Sequence, residues 1–443
     1  MTRRAMHVER LDAGVTPEQI ARRLGPAPGL AWLDGDDRFD AAGRYSFVAS
    51  DPVEVRRRCG AEPDPLSAFA DLGERHDEDL SEGPPASVLP RWIGAVAYDA
   101  AWAGETRTPP RIPRDPDASV LWLGRYDAVF AFDHHRGEAW LVGDDRGACG
   151  RARERLAAAA GPPPRAGVGQ PVVDPPEEHL SAIGAALEHI LAGDIYQVNL
   201  ARRWVADFDG DPLALWLAMR RASPVPLGLF LRADDLAVLT RTMETFLRWD
   251  RRRARLESRP IKGTIARRGE DAGEAHALRS DDKERAEHAM IVDLVRNDLG
   301  RIAITGSVEV AEVMAVEPYA KLSHLVSTIA CNTAPEATLE ALLRATFPPG
   351  SVTGAPKVRA VEMIEALERW PRGIYTGCVG HVDRAGGAHF GVAIRTAQIA
   401  GGRVCYHAGG GLVSASVPAR EVAETELKAR VFLDAVAALR REA

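Results

Sequence analysis

The sequence predicts an α+β fold, on two observations. Short β-like runs, broken by Gly, Pro and Asp clusters, dominate the first third of the chain. Beyond residue 176, strands and amphipathic helices follow one another without a regular strand–helix–strand beat. No G-x-G-x-x-G follows a strand, so a Rossmann dinucleotide site is not expected. With 443 residues and 46% hydrophobic content, the chain has material for a large core and two or three structural units.

The elements follow in order. "RYSFVA", "RWIGAVAYD", "SVLWLGRYDAVFAF" and "EAWLVG" read as antiparallel strands of an N-terminal region, 1–160. Residues 161–176, "GPPPRAGVGQPVVDPP", hold six prolines and read as an exposed linker. The rest, 177–443, reads as a second unit. "HLSAIGAALEHILAGD" has helical spacing and stops at Gly193–Asp194. "IYQVNLARRWVADF" reads as a strand, "DKERAEHAMIVDLVRNDL" as a long amphipathic helix, and "KVRAVEMIEALER" as another, opened by Pro356. "HFGVAIRTAQI" reads as one strand, joined by a turn at Ala400–Gly402 to "RVCYHAG".

The totals narrow the function. A net charge of -7 argues against nucleic acid as the main partner. Five scattered cysteines, with no C-x-x-C, make a disulfide framework or zinc knuckle unexpected and fit a reducing cytoplasm. The basic N-terminus has no apolar stretch behind it, so no secretory leader is expected. No apolar run approaches the length of a membrane span.

Three patterns carry chemistry. Glu284 and Glu287 stand three apart on one predicted helix, and Glu421 and Glu424 three apart on another, with Lys428 a further turn along. Facing each other, the two pairs would collect four carboxylates, which repel unless a hard cation such as Mg²⁺ sits among them. Taken singly, each pair is also the pattern of a solvated helix face. In "HFGVAIRTAQI", Arg395 shares a face with Gly391, Ala393 and Ala397, which leaves room for an anion; a ligand carboxylate or an internal acid would satisfy it. Gly409, Gly410 and Gly411 would let backbone N–H groups approach a carboxylate, or serve as a bend. "PPGSVTGAPKVRAVEM" has the form of an anion-facing loop opening a helix.

In that order, "GDIYQVNL", "RPIKGT", "DKERAEHAMIVDLVRND", "KLSHLVSTI", "FPPGSVTGAPKVRAVEMIEALE", "AIRT", "AGGGLV" and "AETELKAR" resemble the chorismate-utilising enzymes, the anthranilate synthase component I family. The resemblance covers 177–435 and, more loosely, 30–145. It implies antiparallel sheets packed in a sandwich with helices outside. Members that use water as nucleophile usually carry lysine where this chain has Gln197. Anthranilate synthases usually have alanine at the position of Lys262. The pair is most similar to the aminodeoxychorismate synthase component I branch, a transaminase-class transferase that makes 4-amino-4-deoxychorismate on the way to 4-aminobenzoate and folate. The anthranilate branch, and a chorismate-binding regulator, are the alternatives.

The resemblance implies roles. Lys262 attacks C2 of chorismate while the C4 hydroxyl leaves, and ammonia then attacks C4 and expels the lysine. An ordinary lysine is only about 0.1% neutral at pH 7.4, a penalty of roughly 4 kcal/mol that burial would lessen. Glu244 is the implied general acid; the family's usual Ser-Pro-Glu-Arg-Phe reads Thr242-Met243-Glu244-Thr245-Phe246 here. Mg²⁺ would sit on Glu287 and Glu424, with Glu284 and Glu421 direct or through water. Arg395, Tyr375 and the amides of Gly409, Gly410 and Gly411 would hold the enolpyruvyl carboxylate. His324 would lie on the C4 side, Lys428 would add positive charge, and Thr264 would shape the lysine's loop. His381 and Gly391 depart from the usual Tyr and Asn. Ammonia would come from a separate glutamine amidotransferase subunit, and "WLDGDDRFDAAGRYSF" is the implied place for tryptophan.

Overall fold

The structure is a computed structural model and describes residues 6–39, 43–72, 80, 82–103, 110–158, 162–266, 280, 282–318 and 322–442. The part before residue 160 gives β1 (His7–Arg10), β2 (Ala31–Asp34), β3 (Tyr45–Ala49), β4 (Glu54–Cys59), β5 (Pro90–Val96), β6 (Ser119–Arg125), β7 (Ala128–Asp133) and β8 (Glu138–Gly143), with helices α1 (Pro17–Leu24) and α2 (Arg146–Ala158). Next come β9 (Ala166–Val168), β10 (Val172–Val173), α3 (Pro176–Leu191), β11 (Gln197–Gly210), α4 (Pro212–Ala222), β12 (Leu227–Arg232) and β13 (Ala237–Thr242). The chain continues through β14 (Thr245–Asp250), β15 (Arg255–Arg259), β16 (Ile261–Ala266), α5 (Asp282–Gly300), β17 (Glu309–Pro318) and β18 (Leu322–Asn332). It ends with α6 (Leu339–Thr346), β19 (Gly354–Ala355), α7 (Lys357–Leu367), β20 (Cys378–Asp383), β21 (Ala388–Val392), β22 (Thr396–Ala400), β23 (Arg403–Leu412) and α8 (Pro418–Glu442).

Among the described residues the strands form two antiparallel sheets, one of 13 and one of 10. The larger runs β1-β8-β7-β3-β2-β12-β13-β22-β23-β11-β10, with β9 and β19 also paired to β11; the smaller runs β16-β18-β15-β14-β21-β20-β5-β6-β4, with β17 on β18. The α+β class and the sandwich are as expected. Each sheet takes strands from both sides of residues 161–176, joined at β2–β12 and β5–β20. Residues 166–168 and 172–173 within that segment pair with β11.

Strand alternation explains the near-continuous apolar runs. On β7, Val129 and Ala131 enter the core between the sheets, while Ala128, Phe130 and Phe132 face the helices outside. On β6, Val120 and Trp122 point inward, and Leu121 and Leu123 join the core under α5 and α6. A strand buried on both faces needs both residue sets apolar. No helix among the described residues is long and apolar enough to cross a membrane.

Two expectations needed correction. "HFGVAIRTAQI" is not one strand: β21 ends at Val392 in the smaller sheet, and β22 begins at Thr396 in the larger. Arg395 lies in the crossover, at φ +51°. Residues buried on both faces leave no pattern to mark a change of sheet. The glycine run is not a bend either. Gly409, Gly410 and Gly411 continue β23, opposite Ala201, Leu200 and Asn199.

Candidate active site

Two crossovers between the sheets lie side by side. Between β13 and β14 the chain passes from the larger sheet to the smaller through Met243 and Glu244; between β21 and β22 it returns through Ala393, Ile394 and Arg395. The Val392 N–H donates to the Glu244 carbonyl at 2.9 Å, and the Arg241 N–H to the Arg395 carbonyl at 3.1 Å. Thr376, beside Tyr375, donates its N–H to Ala393 O at 2.8 Å. The backbone thus presents Glu244, Arg395 and Tyr375 from one junction.

Lys262 reaches the junction from β16. Its ladder with β18 is in register at Ile261–Val326 and Lys262–Leu325, then shifts before Thr264–His324. Gly263, at φ +68°, sits at the shift, a conformation that suits glycine. The bulge re-aims the lysine. Its Nζ lies 3.1 Å from where a Cβ on Gly411 would stand, and Gln197 Nε2 lies 3.1 Å from that same point. Burial and the second cation Lys428 push the Lys262 amine below its ordinary value; Glu244, Glu287 and Glu424 pull the other way.

The glycine run makes room at each step. Tyr375 Oη is 2.9 Å from the Cβ position of Gly409, and Glu421 Oε2 is 3.2 Å from that of Gly410. Lys428 Nζ donates to Gly409 O at 2.9 Å and pairs with Glu424 at 2.6 Å. Gln197 is fully buried, and neither amide atom has a hydrogen-bond partner among the described residues.

Glu244 is buried at 4% exposure, and burial pushes its carboxyl up to about 7. The Ser351 hydroxyl, Lys262, the Ile261 N–H and Lys428 hold it lower than burial alone would. It is therefore a carboxyl that keeps its proton near neutrality. His324 is buried, and its Nδ1 donates to Gly263 O at 3.3 Å. Burial pushes the imidazole down to about 4, so it is neutral. Arg395 and Lys428 are close enough to act on it. Tyr375 stacks on His407 at 5.4 Å between centroids, and burial raises its phenol to about 12.

Glu244, Lys428, Glu287 and Glu424 thus lie within electrostatic reach of Lys262, whose amine meets Gln197 at Gly411, while Arg395 and Lys428 lie within reach of His324. Glu284 lies one turn before Glu287 on α5. The Thr264 backbone pairs with His324, but its side chain lies outside the described residues. His381 lines a second cavity of about 560 Å³ with Leu33, Asp34, Tyr45 and Phe47, and Gly391 packs against Leu227 and Thr242.

Among the described residues, no three Asp, Glu, His or Cys side chains converge closely enough to hold a metal as they stand. The four candidate ligands on α5 and α8, Glu284, Glu287, Glu421 and Glu424, are carboxylates. That donor set fits a hard cation such as Mg²⁺ and not a soft one.

Sequence reasoning missed three residues. Ser351 sits within the quoted "GSVTGAPK", yet nothing in the motif announces a bond to Glu244. His288 is buried on α5, its Nε2 2.7 Å from Ser327 Oγ, tying that helix to β18. Lys357 opens α7 and turns back to Asp298 at 2.7 Å and to Thr346 O at 2.7 Å.

A family model described as chorismate binding enzyme matches residues 32–434. The chain is 39% identical to an aminodeoxychorismate synthase of Streptomyces griseus, over 96% of this chain and 62% of that protein. It thus spans under two thirds of that relative's length. It is 41% identical to aminodeoxychorismate synthase component 1 of Salmonella typhimurium, over 92% of this chain and 94% of that one. A solved anthranilate synthase component I from Streptococcus pneumoniae matches with a TM-score of 0.74 at 28% identity, over 88% of this chain and 92% of that one.

Proposed function

We propose a specific reaction for this chain, which belongs to the chorismate binding enzyme family: it converts chorismate and ammonia to 4-amino-4-deoxychorismate, as an aminodeoxychorismate synthase component 1. One observation carries the proposal. A half-buried lysine amine, pushed toward its neutral form, lies within electrostatic reach of a carboxyl that burial pushes up to about 7.

In this reading the neutral Lys262 amine forms a bond to C2. The ring double bond shifts, and the C4–O bond breaks. Glu244 gives its proton to the departing hydroxyl, which leaves as water. Ammonia then bonds to C4, the double bond shifts back, and the C2–N bond breaks to release the Lys262 amine. Glu244 recovers a proton before the next turnover. Gln197, a neutral amide, offers no base to activate water. Arg395 and Tyr375 hold the enolpyruvyl carboxylate, and neutral His324 hydrogen-bonds on the C4 side. Glu287 and Glu424, with Glu284 and Glu421, would hold Mg²⁺, which neutralises the ring carboxylate. Ammonia comes from a separate glutamine amidotransferase, as the "component 1" in relatives' names supports. The product would feed 4-aminobenzoate and folate synthesis. The 560 Å³ cavity includes Leu33, Asp34, Gly35, Tyr45 and Phe47 of the segment proposed for tryptophan.

The test is intact mass after incubation with chorismate and Mg²⁺ without ammonia. Wild type should gain chorismate less one water, and Lys262→Ala should gain nothing and lose at least about a thousandfold in turnover. An adduct that persists in Lys262→Ala rules out this attachment site. Anthranilate and pyruvate as the products with ammonia would sink the whole reading.

A further inference from the structure

On β11, Val198 and Leu200 join the core beneath α3 and α7, so alternation turns Asn199 and Ala201 to the opposite face. There Asn199 stands across from Gly411, and Ala201 across from Gly409. The two glycines leave that face open. The Lys262 amine lies 3.1 Å from where a Cβ on Gly411 would stand, and the Tyr375 hydroxyl 2.9 Å from that of Gly409. Asn199 faces the first point directly and the second diagonally. Its backbone is fixed: the N–H donates to Thr353 O at 2.9 Å, and the carbonyl accepts from Arg372 Nη2 at 2.6 Å. The side chain is buried at 5% exposure, and Nδ2 has no hydrogen-bond partner among the described residues. Burial raises the Tyr375 phenol, while Arg372 and then Asn199 pull the other way. The amide thus lies beside the tyrosine without completing a bond from Nδ2. A buried amide N–H seldom goes unserved.

We propose that Asn199 is a further substrate-binding residue, whose Nδ2 donates to the enolpyruvyl carboxylate alongside Tyr375 and Arg395. The inference rests on the reading in which those two residues hold that carboxylate. An amide nitrogen can only donate, so its missing partner is an acceptor. The acceptor that best suits this face is an anion, because a hydrogen bond to a charged oxygen is about twice as strong as a neutral one. Chorismate carries its enolpyruvyl group on C3, next to the C2 that Lys262 attacks. Asn199 occupies the same step on the protein, between the lysine's point at Gly411 and the tyrosine's at Gly409. Its place beside Tyr375 assigns it to the enolpyruvyl carboxylate and not to the one on the ring.

The test is affinity measured by calorimetry with Mg²⁺ present, in a Lys262→Ala background so that nothing is loaded or turned over. Two ligands are compared: chorismate, and the ring diol left when its enolpyruvyl group is removed. Asn199→Ala should weaken chorismate by about tenfold to a hundredfold, the worth of a hydrogen bond to a charged group, and leave the ring diol within about twofold. Asn199→Leu keeps the shape of the side chain without the donor and should behave the same way. Chorismate bound as tightly as before overturns the proposal. So does an equal loss for both ligands, or a leucine variant that restores binding, since each means that Asn199 serves packing. Arg395→Ala separates the two layers of the argument. If it leaves the preference for chorismate over the ring diol intact, the carboxylate clamp itself fails. If it abolishes that preference while the Asn199 variants keep it, only the assignment of Asn199 fails.

Discussion

The two sides of the pocket are built from different materials. Glu244, Arg395 and Tyr375 come from the junction where strands change sheets, and Lys262 and Gln197 from strand ladders. Backbone hydrogen bonds between neighbouring strands hold them. The opposite side is two helices, α5 and α8, carrying Glu284, Glu287, Glu421, Glu424 and Lys428. There the described side chains gather no closed cluster of three. In the proposed reading the strand side supplies acid and nucleophile, both tuned by their surroundings, and the helix side supplies charge that a cation would organise. Covalent chemistry would then sit on sheet and electrostatics on helix.

The strand side breaks hardest. Glu244→Gln should lower kcat by on the order of 10²–10⁴, the usual contribution of a positioned acid. The same variant should be more stable than wild type at high pH. Glu244 has a folded value near 7, above the ordinary 4.3 of an unfolded chain, so its stabilising effect is complete below about pH 4 and is lost as pH rises to 7. Well above pH 7 the glutamine variant should gain up to about 4 kcal/mol on wild type, measured by urea unfolding at pH 4 and pH 8. Equal pH dependence in both proteins would mean that Glu244 titrates as a solvated group.

The helix side should respond to metal. Chelation should abolish turnover, and Glu424→Gln should raise the Mg²⁺ concentration for half activity by roughly tenfold, while mass-detected loading of Lys262 recovers at high Mg²⁺. Turnover indifferent to chelator would leave the carboxylates to Lys428 alone. The smallest effect is expected where the two sides meet. A Cβ at residue 411 would stand 3.1 Å from Lys262 Nζ and from Gln197 Nε2, both ends of flexible side chains. Gly411→Ala should therefore cost less than about tenfold in kcat and under about 1 kcal/mol in stability. A larger loss would mean that the amine has no freedom to yield.

The helix side was the more legible in sequence. Residues three apart on a helix share a face wherever that helix goes, so the acidic pairs could be read from spacing alone. Lys262 and Glu244 were found through motif order, and spacing gave neither. Arg395 was placed in a strand because alternation continues across Val392–Thr396, where no Gly or Pro marks the change of sheet. Ser351, Asp298 and Lys357 were invisible for another reason. Ser351 acts on Glu244, and Lys357 joins Asp298 to Thr346, across distant stretches of chain that converge only once both sheets have formed.

The seams at β2–β12 and β5–β20 have a practical consequence. A protease cutting the proline-rich segment at 161–176 would leave two fragments joined by ladders in both sheets and by a shared core that includes Leu33, Ile93, Leu229 and Val379. Nicked enzyme should travel as one species on a sizing column and keep its activity. The fragments should separate only under denaturant.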